Sequence, residues 1–288
     1  MRTAAMRNPA MDSFFRHLLR CNSAPDPKTM VPFRIGQARV GWLGPDAARV
    51  LTFFPQHVHF DAEGARLSAR NRDGALADLA AAMVRAGIAR KLRGELYDVR
   101  EQPEGRVLAR LDRGAVPAFG VRAEGVHLNG LVRRADGPHL WVATRARDKA
   151  VAPGKLDHIV AGGVPAGLTP EQTLLKEAEE EASIPAALAV RAQPVGRIAY
   201  AMGVEDGLRV DLLHCYDLEL PEDFTPRPND DEVEGFALWP LSRVLASVRD
   251  TDDWKFNVPL VLIDLFLRHG LIDPDGAEGR RLRAGLAA

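Results

Sequence analysis

Cysteine is scarce in this chain: Cys21 and Cys215 are the only two among 288 residues. They lie far apart in sequence, so no disulfide framework is expected, and a reducing, cytoplasmic setting is the default. A surplus of one charge is missing as well. The 38 Lys and Arg nearly match the 39 Asp and Glu, for a formal net charge of −1, which argues against a nucleic-acid partner held through a basic face. No apolar run approaches the roughly 20 residues of a membrane-spanning helix, so no membrane partner is expected. Met1 to Ala10 contains arginine and alanine but no acid, faintly like a targeting peptide. It lacks the apolar stretch of a secretory signal, and an ordered chain opening near Met11 is the plainer expectation.

What is present is the composition of a globular protein, 46% hydrophobic and long enough for one large domain or two smaller ones. Residues 11–119 read as a separate small α+β unit. Phe14, Phe15, Leu18 and Leu19 recur at helical spacing, with Asp12-Ser13 placed to cap that turn. Residues 31–35 and 38–42 suggest two short strands joined through Gly36-Gln37; Pro32 cannot donate to a ladder, which puts the first at a sheet edge. A helix over 73–86 should turn Leu76, Leu79, Ala80 and Met83 inward and stop at Gly87, before a strand around 95–99. Trp42, Phe53 and Phe54 are expected in the core of this unit. No catalytic constellation is legible in it.

From Gly125 the pattern turns to strands. Residues 126–132 alternate, and 140–145 follow the turn Asp136-Gly137-Pro138. His127 and Asn129 then share one face, either lining a pocket or facing solvent. Later strands are expected over 208–216 and 235–239, and an apolar helix over 258–268, closed by Gly270.

The organising stretch is 162–184, a glycine-rich loop feeding an acidic helix. Thr169 and Gln172 form a capping box with Pro170 at the first helical position, so the helix begins there. At about 100° per residue, Leu174, Leu175, Ala178 and Ala182 share an apolar arc. Glu177, Glu180 and Glu181 share a separate one, with Glu179 outside it in solvent. Acids at i, i+3 and i+4 repel one another and oppose the helix dipole near its C-terminal end. A solvated charged face would tolerate them. A hard divalent cation with oxygen ligands, Mg²⁺ or Mn²⁺, would offset them and keep waters that bridge to phosphates. Lys176 balances only part of that charge.

These residues resemble the Nudix hydrolases, whose signature is G-x5-E-x7-R-E-U-x-E-E-x-G-U, with U an aliphatic residue. Gly162 opens the frame, and residues 176–184 lie on its end. The resemblance implies Glu177, Glu180 and Glu181 as metal ligands, Glu177 and Glu181 as catalytic, and a backbone carbonyl or turn at Gly162 beside the metal. Leu168 stands in place of the first signature glutamate, which leaves the number of metal ions open. Lys176 replaces the arginine and loses its planar fork, and Ser183 replaces the glycine that usually ends the helix.

Longer stretches are similar to the Nudix branch related to the Nudix portion of thiamine pyrophosphokinase fusions. These are residues 125–130, 153–157 and 161–163, with Lys255-Phe256-Asn257 and His269-Gly270. Cys21-Asn22 and residues 40–42 and 95–99 resemble the N-terminal extension of that branch. The implied fold is α+β: a Nudix α-β-α sandwich over 119–288, with a mixed sheet between helices, preceded by a small α+β N-terminal domain over 1–118. The implied activity is metal-dependent cleavage of a small-molecule diphosphate, thiamine diphosphate or its oxidised and damaged forms, to monophosphate and phosphate.

Ligand contacts are expected at His127, Asn129, Lys155, Asp157, Trp254 and Lys255. Trp254 and Phe256 either stack on a cationic ring or pack the following helix. Glu232, and after it Glu234, would be a general base or further metal ligand, unless both are simply exposed acids at a strand start. Two other functions stay open: a Nudix enzyme for nucleoside diphosphate derivatives or isoprenoid diphosphates, and a non-catalytic diphosphate sensor, suggested by Leu168 and Ser183.

Overall fold

The computed structural model describes residues 14–229 and 231–287. The expectations for Met1 to Ala10, for a start near Met11, for the Asp12-Ser13 cap and for Asp230 lie outside the described residues. In chain order the elements begin with α1 Phe15–Cys21, β1 Val31–Ile35, β2 Ala38–Leu43, α2 Pro45–Leu51, β3 Val58–Asp61 and β4 Gly64–Leu67. Then come α3 Arg72–Arg85, β5 Leu96–Val99, β6 Ala109–Asp112 and α4 Val116–Phe119. The second part holds β7 Arg122–Arg134, β8 Gly137–Arg145, β9 Leu156–His158, β10 Val160–Gly163, α5 Pro170–Ala182 and α6 Ala186–Ala189. It ends with β11 Gln193–Val204, β12 Gly207–Glu219, β13 Val233–Pro240, α7 Leu241–Asp250, α8 Val258–Arg268 and α9 Ala277–Leu286.

The second part is a mixed sheet between helices. Its strands run β11-β12-β7-β8-β13, with β10 added to β7 and β9 to β8. β12 is parallel to β7 and the other pairings are antiparallel. β7 serves two neighbours along one edge: residues 125–128 pair with β10, and 131–134 pair with β8. Strand alternation then divides the core in two. Trp141, Tyr216 and Leu218 point toward α5, with Leu174, Ala178 and Ala182. Leu140, Val142, Leu213 and Cys215 point the other way, toward α7, α8 and α9. The helix α8 buries nine side chains around its circumference, as a helix enclosed on all sides must.

The N-terminal part is a four-stranded sheet, β2-β1-β4-β3, and a β5-β6 hairpin packed with α2 and α3. Leu76, Leu79, Ala80 and Met83 are buried and Gly87 takes φ 72°, as their spacing predicts. Three expectations are corrected here. β1 is not an edge strand, since it lies between β2 and β4. Pro32 is tolerated because the parallel ladder with β4 covers only residues 33–35, and Pro32 lies past its end, against Gly64. Phe53 is exposed and Trp42 only half-buried under the Arg39 guanidinium, so of the three aromatic residues only Phe54 packs against the core. Helix α1, finally, does not join this unit. A seven-residue helix has too little surface for a core of its own, and Phe14, Leu18 and Cys21 bury against the α8–α9 side of the second part. Arg16 fastens it there through the carbonyls of Val248, Arg249 and Thr251 at the end of α7.

Candidate active site

The loop and helix at the centre of the site form from local chemistry. Thr169 Oγ1 accepts from Gln172 N at 3.2 Å, and the Gln172 side chain accepts from Thr169 N at 2.9 Å, completing the capping box. At the other end Ser183 takes the left-handed conformation, φ 52° and ψ 35°, which costs a non-glycine residue roughly 1–2 kcal/mol. Ile184 N bonds back to Ala178 O at 2.9 Å, and Ser183 Oγ donates to Arg227 O at 3.0 Å, so the closure holds without glycine.

The three acids of the helix part company. Glu181 is 5% exposed, and its Oε2 accepts from Ala161 N at 2.8 Å. Burial pushes its carboxyl up to about 8, and the charges of Glu177, Asp157 and Glu232 add to the rise against that one hydrogen bond. Glu177 is half-buried beside the loop: a Cβ on Gly162 would sit 2.6 Å from its Cδ, so the loop backbone lies directly against this side chain. Burial raises Glu177 too, with Lys176 opposing. Glu180 instead has a side chain 48% exposed and ion-paired with Lys176. Glu179 is solvated, as its helical position predicts.

A hard divalent cation suits Glu177 and Glu181. Both are oxygen donors whose ionisation burial opposes, and an adjacent cation would favour their charged form. A second grouping, His127, Asp157 and His158, also has ligand atoms within 4.8 Å of one another. It is a poorer cation site, because Asp157 Oδ2 already accepts from Arg145 Nη1 at 2.7 Å and Lys255 Nζ at 3.1 Å. His158 N donates to the other oxygen at 3.0 Å. Burial raises Asp157, but Lys255 and Arg145 outweigh it and hold the carboxyl far below the carboxylate range. The two histidines meet Nδ1 to Nδ1 at 2.9 Å. Burial lowers both, His158 to about 4, so they are neutral rings under Asp157.

Beside these groups opens a cavity of about 400 Å³. The glycine loop, Gly125 and His127 form part of its wall; Arg145, Lys149, Lys255 and Glu232 form another part. Glu232 is ion-paired with Lys149. Burial pushes its carboxyl up, but Lys149, Arg113 and Arg145 together bring it below its ordinary value. Of the ligand-contact residues expected from sequence, His127 and Lys255 line this cavity. His127 and Asn129 are both buried, which removes the solvated-face alternative. Asn129 donates to Asp217 Oδ1 at 2.8 Å instead of lining the cavity, and Asp157 lies behind it, holding Arg145 and Lys255.

Lys155 turns to Asp252 O at 2.9 Å, and Glu234 pairs with Arg147 at 3.5 Å. Trp254 is corrected to a packing role: it is buried, bonded to Ser247 Oγ at 3.1 Å and edge-on to Trp239. Its neighbour Phe256 does line the cavity.

Sequence reasoning missed the facing wall, which Glu95, Tyr97 and Arg113 of the N-terminal part supply. One signal was available in the paired glycines. A Cβ on Gly163 would lie 1.7 Å from the Tyr97 hydroxyl, so the second glycine admits Tyr97 as the first admits Glu177.

Comparisons with known proteins bear on both parts. The family model of the NUDIX domain matches residues 125–259, and that of a domain of unknown function (DUF4743) matches residues 13–123. Nudix hydrolase 20, chloroplastic, of Arabidopsis thaliana is 36% identical over 282 residues, 93% of this chain and 75% of its own length. Nudix hydrolase 24, chloroplastic, of the same plant is 36% identical over 287 residues, 96% of this chain and 79% of its own. A Deinococcus radiodurans protein of known crystal structure aligns with a TM-score of 0.45 at 21% identity, covering 58% of this chain and 97% of that one.

Proposed function

The chain belongs to the Nudix hydrolase family, and on that premise we propose that it hydrolyses the phosphoanhydride of thiamine diphosphate, or of its oxidised and damaged forms, with Mg²⁺ or Mn²⁺. The observation that carries this reading is a buried acid and a half-buried one, four positions apart on one helix, beside a cavity rich in cations. Glu177 and Glu181 adjoin the loop at Gly162 and Ala161, where the cavity wall also presents Arg145, Lys149 and Lys255. Glu177, Glu181 and the Gly162 carbonyl would hold the metal; bound there, it supplies charge neutralisation and a more acidic water.

The chain's own groups do the rest. Lys255 and Arg145 share the single carboxylate of Asp157, so the trio carries one surplus positive charge facing the diphosphate oxygens. Glu232, kept ionised by Lys149, takes the proton of the attacking water. The water oxygen bonds to phosphorus as the bond to the bridging oxygen breaks, and monophosphate and phosphate leave with no covalent enzyme intermediate. The preference for thiamine rests on the branch resemblance, including that of the N-terminal extension. A cytoplasmic setting belongs to the same proposal, with Cys21 and Cys215 both free and buried; the plant relatives are named chloroplastic.

Phosphate release from a panel tests this reading. Thiamine diphosphate and its oxidised forms should exceed nucleoside diphosphate derivatives and isoprenoid diphosphates in kcat/KM by at least ~10-fold, a margin of about 1.4 kcal/mol. The reverse order would move the assignment to the nucleoside class. Binding without turnover of any member, in the presence of Mg²⁺, would make the protein a sensor.

A further inference from the structure

The N-terminal unit brings a guanidinium into this cavity on a rigid mount. Arg113 opens a 3₁₀ turn, Arg113–Ala115, directly after β6. The Asp112 carboxylate accepts from Gly114 N at 2.8 Å, Arg93 N at 2.9 Å and Gly94 N at 2.8 Å, and Arg113 N donates to Glu95 O at 2.8 Å. A Cβ on Gly114 would lie 2.4 Å from Lys91 O, so the turn fits tightly on the preceding segment. The side chain then extends over Tyr97, its Cζ 5.8 Å from the ring centroid, and Nη1 donates to Glu95 Oε2 at 2.8 Å.

That leaves most of the guanidinium unspent. Of its five N–H donors, those on Nε and Nη2 have no protein acceptor among the described residues, and the side chain is 52% exposed. A half-exposed pair with Glu95 is worth at most about 1 kcal/mol, little reason for so fixed a mount. Tyr97, by contrast, is 6% exposed, with its hydroxyl pressed on Gly163. Arg113 is therefore one aromatic ring away from the glycine loop, and the next residue of that loop, Gly162, touches Glu177.

We propose that Arg113 is a catalytic residue supplied by the N-terminal unit: its free guanidinium donors contact a phosphoryl oxygen of the diphosphate held beside Glu177 and Glu181. As the bond to the bridging oxygen breaks, negative charge builds on that phosphoryl group, and a fixed planar donor pair meets it without reorganising. The N-terminal unit is then part of the active site, and the Nudix sheet alone presents an incomplete one. This inference rests on diphosphate hydrolysis as the reaction but not on which organic group the diphosphate carries.

The test compares full-length wild type, Arg113→Ala and Arg113→Lys, each first shown to melt cooperatively. Calorimetry with imidodiphosphate and Mg²⁺ reads contact with the phosphoryl group apart from turnover. Arg113→Ala should weaken that binding at least ~10-fold and lower kcat for the diphosphate substrate ~100-fold or more, the size of losing one preorganised donor. Arg113→Lys, which keeps charge but not the fork, should fall between, and added guanidinium should restore part of the turnover of Arg113→Ala. Wild-type affinity for imidodiphosphate in Arg113→Ala, or in Arg113→Lys if the alanine variant does not fold, overturns the assignment whatever turnover does; so does a wild type that does not bind this probe. If wild type binds the probe and Arg113→Ala loses it, but no diphosphate is turned over, the contact stands and the hydrolase reading falls.

Discussion

Replacing Glu181 by glutamine separates the proposed metal role of this residue from its structural one. Its carboxyl rises from an ordinary 4.5 to about 8 because it is buried with one hydrogen bond and near Glu177, Asp157 and Glu232. The sign follows from linkage: between those values the unfolded chain has released its proton and the folded chain has kept it, so metal-free stability is full below about pH 4.5 and falls as pH rises toward 8. At 1.36 kcal/mol per pH unit the upper limit is roughly 5 kcal/mol, and relaxation of the site should leave about 2. Glutamine is shaped like the protonated acid and can keep the bond to Ala161 N, so Glu181→Gln in EDTA should be more stable than wild type at pH 8 by about that amount and equal to it at pH 5. Adding Mg²⁺ should raise the wild-type melting temperature at pH 8, since metal selects the ionised form, and leave the variant unmoved. Its kcat should drop at least ~100-fold. Thermal melts at both pH values, with EDTA and with Mg²⁺, supply the evidence; a variant less stable than wild type at pH 8 without metal, or one still stabilised by Mg²⁺ as strongly, refutes the reasoning.

Asp157→Asn should unfix Arg145 and Lys255 and leave two buried cations without their carboxylate, costing about 3–5 kcal/mol in denaturant titration and raising KM more than it lowers kcat. The buried histidines predict an acid limit. His158 titrates near 4 when folded and His127 well below 6.5, so the unfolded chain binds their protons first and stability is lost as pH falls from about 6.5 toward 4. Measured in the Glu181→Gln background, which removes the opposing carboxyl, that slope should flatten when His158 is replaced by glutamine; an unchanged slope would assign the loss elsewhere. Gly163→Ala should be destabilising, because its Cβ meets the Tyr97 hydroxyl at 1.7 Å. A double-mutant cycle with Tyr97→Leu should recover more than 1 kcal/mol of that loss, and strict additivity would contradict the contact.

Much of this molecule is legible from local rules. The capping box at Thr169 and the inward face of α3 are each decided within a few residues, where propensity, capping and burial period agree. The acidic arc of α5 was readable for the same reason. Periodicity could not divide that arc, since Glu180 and Glu181 are neighbours on it while one is ion-paired at the surface and the other is buried. Trp254 and Phe256, two residues apart, divide in the same way, one into the core and one onto the cavity.

The residue order by itself determined several of the elements, among them α3, α8 and the acidic helix with its glycine loop, because hydrogen bonds, caps and side-chain period act along the chain. Tertiary structure alone decided which of those acids lie against the glycine loop and which stays at the surface. Pairing of β10 with β7 carries Ala161 and Gly162 over α5, and the β5–β6 hairpin lowers Tyr97 and Arg113 onto the far side of the cavity. Such contacts join residues from 15 positions apart (Gly162 and Glu177) to 66 (Tyr97 and Gly163), and packing between elements, which no local pattern encodes, selects them.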